Sequence, residues 1–135
     1  GAVQGGNPYF CAYSVSKTAL THYSRLLAAQ VRDTGVSVFA YNPGVVHTDM
    51  SEWLMQSPEV HNSLRDSFKA RFEQGTDVPI ETSVRMFLFL ASGKADALSG
   101  RHISVYDDAS ELISKTEDIL NKDLYTLRLE PKPRF

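Results

Sequence analysis

Tyr13 and Lys17 are the residues whose types and spacing most clearly suggest chemistry. On a helix, residues four apart lie on one face, one turn from each other, and only small residues, Ser14 to Ser16, separate this pair. A phenol ordinarily titrates near pH ~10, and a neighbouring cation favours its ionised form and brings its pKa towards neutrality. Because general acid–base catalysis works best when the pKa lies near the operating pH, the pair could donate and accept protons.

The Tyr-x-x-x-Lys spacing alone is a weak signal, because a tyrosine packed on a helix beside a solvated lysine has the same spacing. Its context is more specific. The segment 12–20 is rich in small residues and opens an amphipathic pattern, and the apolar run Val36–Tyr41 follows further along. That run leads into Asn42-Pro43-Gly44-Val45-Val46-His47-Thr48, in which proline and glycine predict a turn after a strand.

These two motifs, in this order, resemble those of the short-chain dehydrogenase/reductase family. The family pairs Y-x-x-x-K with a downstream P-G-x-[VI]-x-T after the next strand, and the resemblance extends from the start of the chain to about Asp107. It implies an oxidoreductase that transfers a hydride between NAD or NADP and a small carbonyl or alcohol substrate. It also implies a homo-oligomer, as is common among relatives.

The resemblance assigns roles to residues of the two motifs. Tyr13 would exchange a proton with the substrate oxygen, and Lys17 would hold the nicotinamide ribose and lower the tyrosine pKa. Pro43-Gly44 would form the turn beside the nicotinamide. Val46 would offer its backbone, and Thr48 its hydroxyl, to the carboxamide. All six residues, Tyr13 included, form the expected cofactor-binding set.

Two parts of the family pattern are not found in this chain. The family carries a serine thirteen positions before the tyrosine, and counting back from Tyr13 leads to the position before Gly1. The early glycines, Gly1, Gly5 and Gly6, follow no hydrophobic strand, so they indicate a loop rather than a pyrophosphate-binding turn. We therefore expect residues 1–135 to be the C-terminal portion of one Rossmann-type domain that lacks its N-terminal dinucleotide-binding half.

The order of the predicted elements is that of an α/β protein with a parallel sheet, and the resemblance implies that this sheet is part of a doubly wound Rossmann-type fold. Helices are predicted over about 10–32, over 49–73 with a break at Pro58, over Pro79–Ser92 and over Asp108–Asp123; strands are predicted over Val36–Tyr41 and His102–Tyr106; and the tail 124–135 is predicted to be extended. In the first helix, the apolar residues near a helical period are Ala12, Val15, Ala19, Tyr23, Leu26 and Val31.

Further apolar residues of the first helix widen its apolar surface beyond one stripe, namely Phe10, Leu20, Leu27 and Val31. A helix that is apolar over most of its circumference is buried on several sides. We therefore expect this helix to contact a second subunit as well as the sheet.

The segment 49–73 follows the Pro-Gly turn directly, at the end of a strand where ligands bind in α/β sheets. The resemblance implies that this segment covers the substrate. Met50 and Trp53 could line the substrate pocket. An equally good alternative for Trp53 is that it only packs this segment against the rest of the domain. His47 could contact substrate or be solvated. The adjacent acids Asp107-Asp108 are better explained as a helix cap than as a paired-carboxylate site.

Composition excludes several other classes of function. The 135 residues carry a net charge of -2, with no basic surplus for nucleic acid. No apolar run reaches the roughly 18 residues of a membrane span, and the histidines share no metal-ligand spacing. The single Cys11 excludes an internal disulfide and fits a reducing, cytoplasmic location. It is predicted to be a small buried residue rather than a nucleophile.

Two alternatives to an enzyme stay open at this point. One is a non-catalytic relative that uses the fold as a binding or regulatory surface. The other is an inactive truncated product. Binding of the cofactor would separate the enzyme from the first alternative, because a purely structural relative has no need to hold a dinucleotide.

Overall fold

The computed structural model describes residues 8–128, which form mostly helices and two short strands. The elements are α1 (Cys11–Gln30), β1 (Ala40–Asn42), α2 (Asp49–Gln56), α3 (Asn62–Glu73), α4 (Ile80–Ala91), β2 (His102–Ser104), α5 (Ala109–Ser114) and α6 (Thr116–Asn121), with 3-10 turns at Pro8–Phe10 and Asp96–Leu98. This order confirms the α/β class. The early glycines lie outside the described residues.

The two strands pair in parallel, as predicted, with Ala40 opposite His102 and Tyr41 opposite Ile103. Both strands are shorter than predicted. Residues 36–39 are not part of β1, because loop contacts replace the strand ladder: the Val38 amide donates to the Ser99 hydroxyl at 3.0 Å. In the same loop, the Gly100 amide donates to the Val38 carbonyl at 2.7 Å.

The second strand ends at Ser104 rather than at Tyr106 because Asp107 turns the chain there. The Asp107 carboxylate accepts from the Ser104 amide at 2.6 Å, and the Asp107 amide donates to the Ser104 carbonyl at 3.0 Å. Both hydrogen bonds close a tight turn, which ends the extended conformation that a ladder requires.

The main core lies on the face of the sheet that carries Tyr41 and Ile103. Its buried members come from α4, β2, α5, α6 and the turn before β2: Met86, Leu90, Ala95, Leu98, Ile103, Leu112 and Ile119. The Tyr41 hydroxyl donates to the Ser83 carbonyl at 2.9 Å and so ties β1 to α4. The sheet and α4 therefore form one packed unit.

The last predicted helix, Asp108–Asp123, is two short helices separated at Lys115. Hydroxyls on either side of this residue bond to backbone carbonyls, Ser114 to Glu111 and Thr116 to Leu112, and such bonds compete with helix propagation. The predicted cap is confirmed at Asp108, which accepts from the Glu111 amide at 2.8 Å. Hydrogen bonds from the Ser110 hydroxyl and from that amide hold the pKa of Asp108 below its ordinary value.

The chain after α6 bends sharply before it crosses the edge of β2. Asp123 and Tyr125 have positive φ values of 49° and 58°, and the His102 amide donates to the Tyr125 carbonyl at 2.8 Å. The Asp123 carboxylate pairs with Arg101 and with Arg25 of α1. The Arg101 hydrogen bond, aided by the charge of Arg25, holds the pKa of Asp123 below its ordinary value. The rest of the tail predicted to be extended lies outside the described residues.

Helix α1 falls within its predicted bounds, but it buries a different face from the one its apolar period indicated. Its buried residues are Thr21, Ser24 and Ala28, whereas several of its large apolar residues are exposed, namely Val15, Leu20, Tyr23 and Leu26. Cys11 is also exposed rather than buried, because it lies on the first turn of α1, well before Thr21, the first buried residue of this helix. Of the four residues expected to widen the apolar surface, Leu20 alone is exposed; Phe10 is half-buried against α3, and Leu27 and Val31 are half-buried.

Within residues 8–128, no helix combines the length and the apolar character that a membrane crossing requires.

Candidate active site

Tyr13 and Lys17 lie side by side near the start of α1, as their spacing predicted. The Lys17 ammonium is 5.3 Å from the centroid of the Tyr13 ring, within the range in which a cation is attracted to an aromatic face. Tyr13 is 42% exposed, so its ring is open to a ligand. The Ser16 hydroxyl donates to the Tyr13 carbonyl at 2.7 Å, a bond within the first turns of the helix.

The direction of α1 places this pair at the carboxyl end of the parallel strands. The later part of the helix lies at the other end, since a methyl group added to Gly100, just before β2, would come within 3.2 Å of the Ala28 Cβ. α1 also packs along β1. The start of α1 must therefore point towards the edge where β1 ends, which is where ligands bind in open α/β sheets.

The turn after β1 is built around Gly44. The Gly44 amide donates to the Asn42 side-chain oxygen at 3.1 Å, an arrangement typical of asparagine in tight turns. Gly44 has φ +79°, and a Cβ at this position would lie 2.5 Å from Val78 Cγ2. The Val78 amide donates to the Val45 carbonyl at 2.7 Å. Only glycine fits this turn without displacing its neighbours.

Thr48, expected to contact the carboxamide, also caps α2. Its hydroxyl oxygen accepts from the Ser51 amide at 3.4 Å, and its amide donates to the Ser51 hydroxyl at 2.8 Å. The sequence signal for this cap is the Thr-x-x-Ser spacing, a variant of the usual capping box in which glutamate or glutamine holds the last position. The cap uses the Thr48 oxygen as an acceptor, so the hydroxyl proton is still available for a ligand.

The segment 49–73 forms a helical hairpin broken after Gln56, as the proline predicted. Leu54, Val60 and Leu64 form a small buried cluster between α2 and α3, and Phe10 and Phe68 pack against it. We call this hairpin, α2 and α3 together, the lid. The Tyr9 and His61 rings stack at 3.5 Å with an angle of 9°, so the lid contacts the segment leading into α1.

Met50 and Trp53 lie on the exposed side of α2, with 65% and 53% of their surfaces accessible. Among the described residues, about half of the Trp53 surface is covered, so both expectations for this side chain stay predictions. His47 contacts the lid: its ring centroid is 5.0 Å from that of Phe72, and its Nδ1 is 3.7 Å from Glu52 Oε1. Sequence reasoning missed Tyr9, Phe10 and His61, because no local pattern links them to α3.

Comparisons with known proteins found relatives over most of the chain. Residues 1–107 match the family model described as "Enoyl-(Acyl carrier protein) reductase". The short chain dehydrogenase pigC of Monascus ruber is 34% identical over 87% of this chain and 35% of its own length. The short chain dehydrogenase pgmD of Aspergillus terreus is 30% identical over 93% of this chain and 36% of its own length.

A third relative carries a name that states its reaction. The 2-(R)-hydroxypropyl-CoM dehydrogenase of Xanthobacter autotrophicus is 32% identical over 66% of this chain and 34% of its own length. No solved structure gave a significant match. The chain spans about a third of the length of these curated relatives.

The chain belongs to the short-chain dehydrogenase/reductase family. Members of this family are oxidoreductases that generally use NAD or NADP and act on small molecules. The family match ends at Asp107, close to the limit that the sequence motifs indicated.

Proposed function

We propose that this chain supplies the acid–base pair and the nicotinamide-side turn of an NAD- or NADP-dependent oxidoreductase that interconverts carbonyls and alcohols. The observation that carries the proposal is the position of the Lys17 ammonium, 5.3 Å from the Tyr13 ring centroid on an accessible face of α1. Family membership supports it, because the two residues match the family motif.

In this proposal, the nicotinamide supplies or accepts the hydride when it is bound. Lys17, the Pro43-Gly44 turn, the backbone of Val46 and the Thr48 hydroxyl would hold it. These residues fit the group in two respects: the Thr48 hydroxyl keeps a proton to donate, and the glycine turn presents backbone without a side chain. The choice between NAD and NADP is left open.

The chain's own chemistry is then a proton transfer. Tyr13 gives its phenolic proton to the carbonyl oxygen of the substrate during reduction and takes a proton from the alcohol during oxidation. The positive charge of Lys17 stabilises the phenolate that is left after donation. The lid, anchored to the turn by the Thr48 cap and by the hydrogen bond between Val78 and Val45, covers the substrate. Assembly as a homo-oligomer and a cytoplasmic location belong to the same proposal.

Replacing Tyr13 with phenylalanine tests the assignment, because this change removes only the hydroxyl. In the full-length enzyme, we expect turnover to fall by about 10²–10⁴-fold, the usual cost of losing general acid–base catalysis. Cofactor affinity, measured by calorimetric titration with NADH and NADPH, should fall far less than turnover.

Tyr23→Phe is the matched control, since it makes the same change on an exposed tyrosine of the same helix. It keeps the apolar ring on the exposed face of α1, so it should leave turnover unchanged. Near-normal turnover of Tyr13→Phe would refute the proposal, and absence of any dinucleotide binding by the full-length protein would favour a non-catalytic relative.

A further inference from the structure

Phe10 contacts both the proposed catalytic tyrosine and the lid. Its ring centroid is 5.2 Å from that of Tyr13, with an angle of 38° between the rings. On its other side, it is 6.4 Å from the Phe68 ring at an angle of 82°, an edge-on contact. Both distances fall in the range of about 4.5–7 Å in which aromatic pairs attract each other.

The two partners of Phe10 belong to different parts of the fold. Tyr13 belongs to α1, which packs along β1, whereas Phe68 belongs to α3 of the lid. Phe10 and Phe68 both pack against the buried lid cluster of Leu54, Val60 and Leu64. A shift of the lid therefore moves the surface on which the Phe10 ring rests.

The Tyr13 ring itself is only partly enclosed, with 42% of the residue accessible. The Tyr13 ring contacts Phe10 and the Lys17 ammonium, so loss of the Phe10 contact would leave its orientation less restrained. Proton transfer requires the phenolic oxygen to lie within hydrogen-bond reach of the substrate oxygen, so the rate of this step depends on the orientation of the ring.

We propose that Phe10 is a positioning residue that couples docking of the lid to the orientation of the Tyr13 phenol. When the lid is docked, Phe68 holds Phe10, and Phe10 holds the Tyr13 ring in the productive orientation. This proposal rests on the proposed role of Tyr13 as the acid–base residue.

The Tyr9–His61 stack offers an internal comparison. It also joins the lid to the segment before α1, with ring centroids 3.5 Å apart, but this contact does not pass through the Phe10 ring. His61 also caps α3, since its Nδ1 accepts from the Ser63 amide at 3.3 Å. Asparagine at position 61 would keep a capping acceptor and remove the stacked ring.

The test is steady-state kinetics of the full-length enzyme with leucine in place of Phe10, of Phe68 and of both. Each single change should lower kcat about tenfold with KM changed less than about threefold, a loss that corresponds to ~1.4 kcal/mol and to one favourable aromatic pair. The kcat of the double variant should fall no further than that of either single variant, because the two rings act in series. Phe10→Tyr retains the ring and should restore most of the activity.

His61→Asn is the matched control on the same lid. It weakens docking without touching the path through Phe10. Saturating substrate keeps the lid docked, so KM should rise several-fold while kcat is retained. Thermal unfolding of every variant checks that the fold is intact, and if Phe10→Leu does not fold, Phe68→Leu and Phe68→Tyr provide the same comparison from the lid side.

Several outcomes would overturn the coupling. They are a kcat within twofold of the parent for Phe68→Leu, a double variant whose losses multiply, or a His61→Asn variant that lowers kcat as much as Phe68→Leu does. An unaffected Phe68→Leu together with an inactive Tyr13→Phe would reject the coupling alone. An active Tyr13→Phe would reject the proposed function itself.

Discussion

Replacing Gly44 with alanine should be one of the most destabilising single-methyl additions in this chain. Gly44 lies in the turn after β1 with φ +79°, and an added Cβ would lie 2.5 Å from Val78 Cγ2, 3.0 Å from Val105 Cγ1 and 3.1 Å from the Tyr106 hydroxyl. Val78 cannot easily give way. Its branched side chain is restricted at χ1, and its amide is bonded to the Val45 carbonyl at 2.7 Å.

The expected loss in the free energy of unfolding has two parts. A left-handed conformation costs an L-residue about 1–2 kcal/mol relative to glycine, and forcing an extra methyl into a packed site costs about 1–3 kcal/mol. Together they predict a loss of about 2–5 kcal/mol in the free energy of unfolding, a large fraction of the about 5–15 kcal/mol that holds an ordinary domain together.

Gly35→Ala separates the two parts. Gly35 has nearly the same φ, +78°, but no atom lies within 4 Å of a Cβ built there, so this variant should lose only the conformational part, about 1–2 kcal/mol. Urea unfolding of both variants in the full-length enzyme measures the difference. The midpoints of unfolding can be compared if the free energy of unfolding falls with urea at the same slope in both variants. Equal losses for the two variants would refute the claim that packing against Val78 makes this glycine necessary.

Two further predictions concern the contacts of α1. Asp123→Asn should destabilise the protein by about 1 kcal/mol near neutral pH, since it removes a partly exposed carboxylate shared by Arg25 and Arg101. The folded-state pKa of Asp123 is lowered. The stabilisation is therefore present above the ordinary carboxyl pKa and is lost as the pH falls through the folded-state pKa. A stability difference between variant and parent that stays constant from neutral to strongly acidic pH would contradict this prediction. Leu20→Glu places a charge on the exposed apolar face of α1. It should shift the full-length enzyme from oligomer to monomer, as measured by light scattering. An unchanged molecular mass would show that this face does not join subunits.

Local signals predicted the positions of the helices well. Pro58 does divide the segment 49–73 into two helices, and the predicted helix between Pro79 and Gly93 is observed at Ile80–Ala91. These boundaries depend on residues that lack a backbone donor or accept positive φ, properties that belong to single residues. Strand lengths were predicted less well, because Val38 is bonded by Ser99 and Gly100, residues about sixty positions away whose involvement no local pattern reveals.

In the candidate site, too, local contacts could be predicted from the sequence and long-range contacts could not. The Tyr13–Lys17 contact follows from helical spacing alone and is observed. The second role of Thr48 as the α2 cap could have been inferred from its spacing to Ser51. The ring contact between Phe10 and Phe68 could not, since the two residues are far apart in sequence and only the folding of the lid brings them together.

The face that α1 buries differs from the face that its apolar residues predicted, and the sizes of the buried residues explain the difference. The buried residues Thr21, Ser24 and Ala28 are small, which lets the helix backbone approach the chain at Gly100 closely. The two hydroxyls cost little when buried, because they donate to the carbonyls of Lys17 and Leu20 within the helix, each at 2.9 Å.

The large apolar residues of α1 are thereby left for the opposite face. They form an exposed surface made of Val15, Leu20, Tyr23 and Leu26. An exposed set of large apolar residues on one helix favours an interface over a solvated face. The chain spans about a third of the length of its relatives, so either the rest of a full-length protein or a second copy can supply the cover. In both cases, we expect the helix that carries Tyr13 and Lys17 to be held between this sheet and a second surface, so that both would fix the position of the proposed catalytic pair.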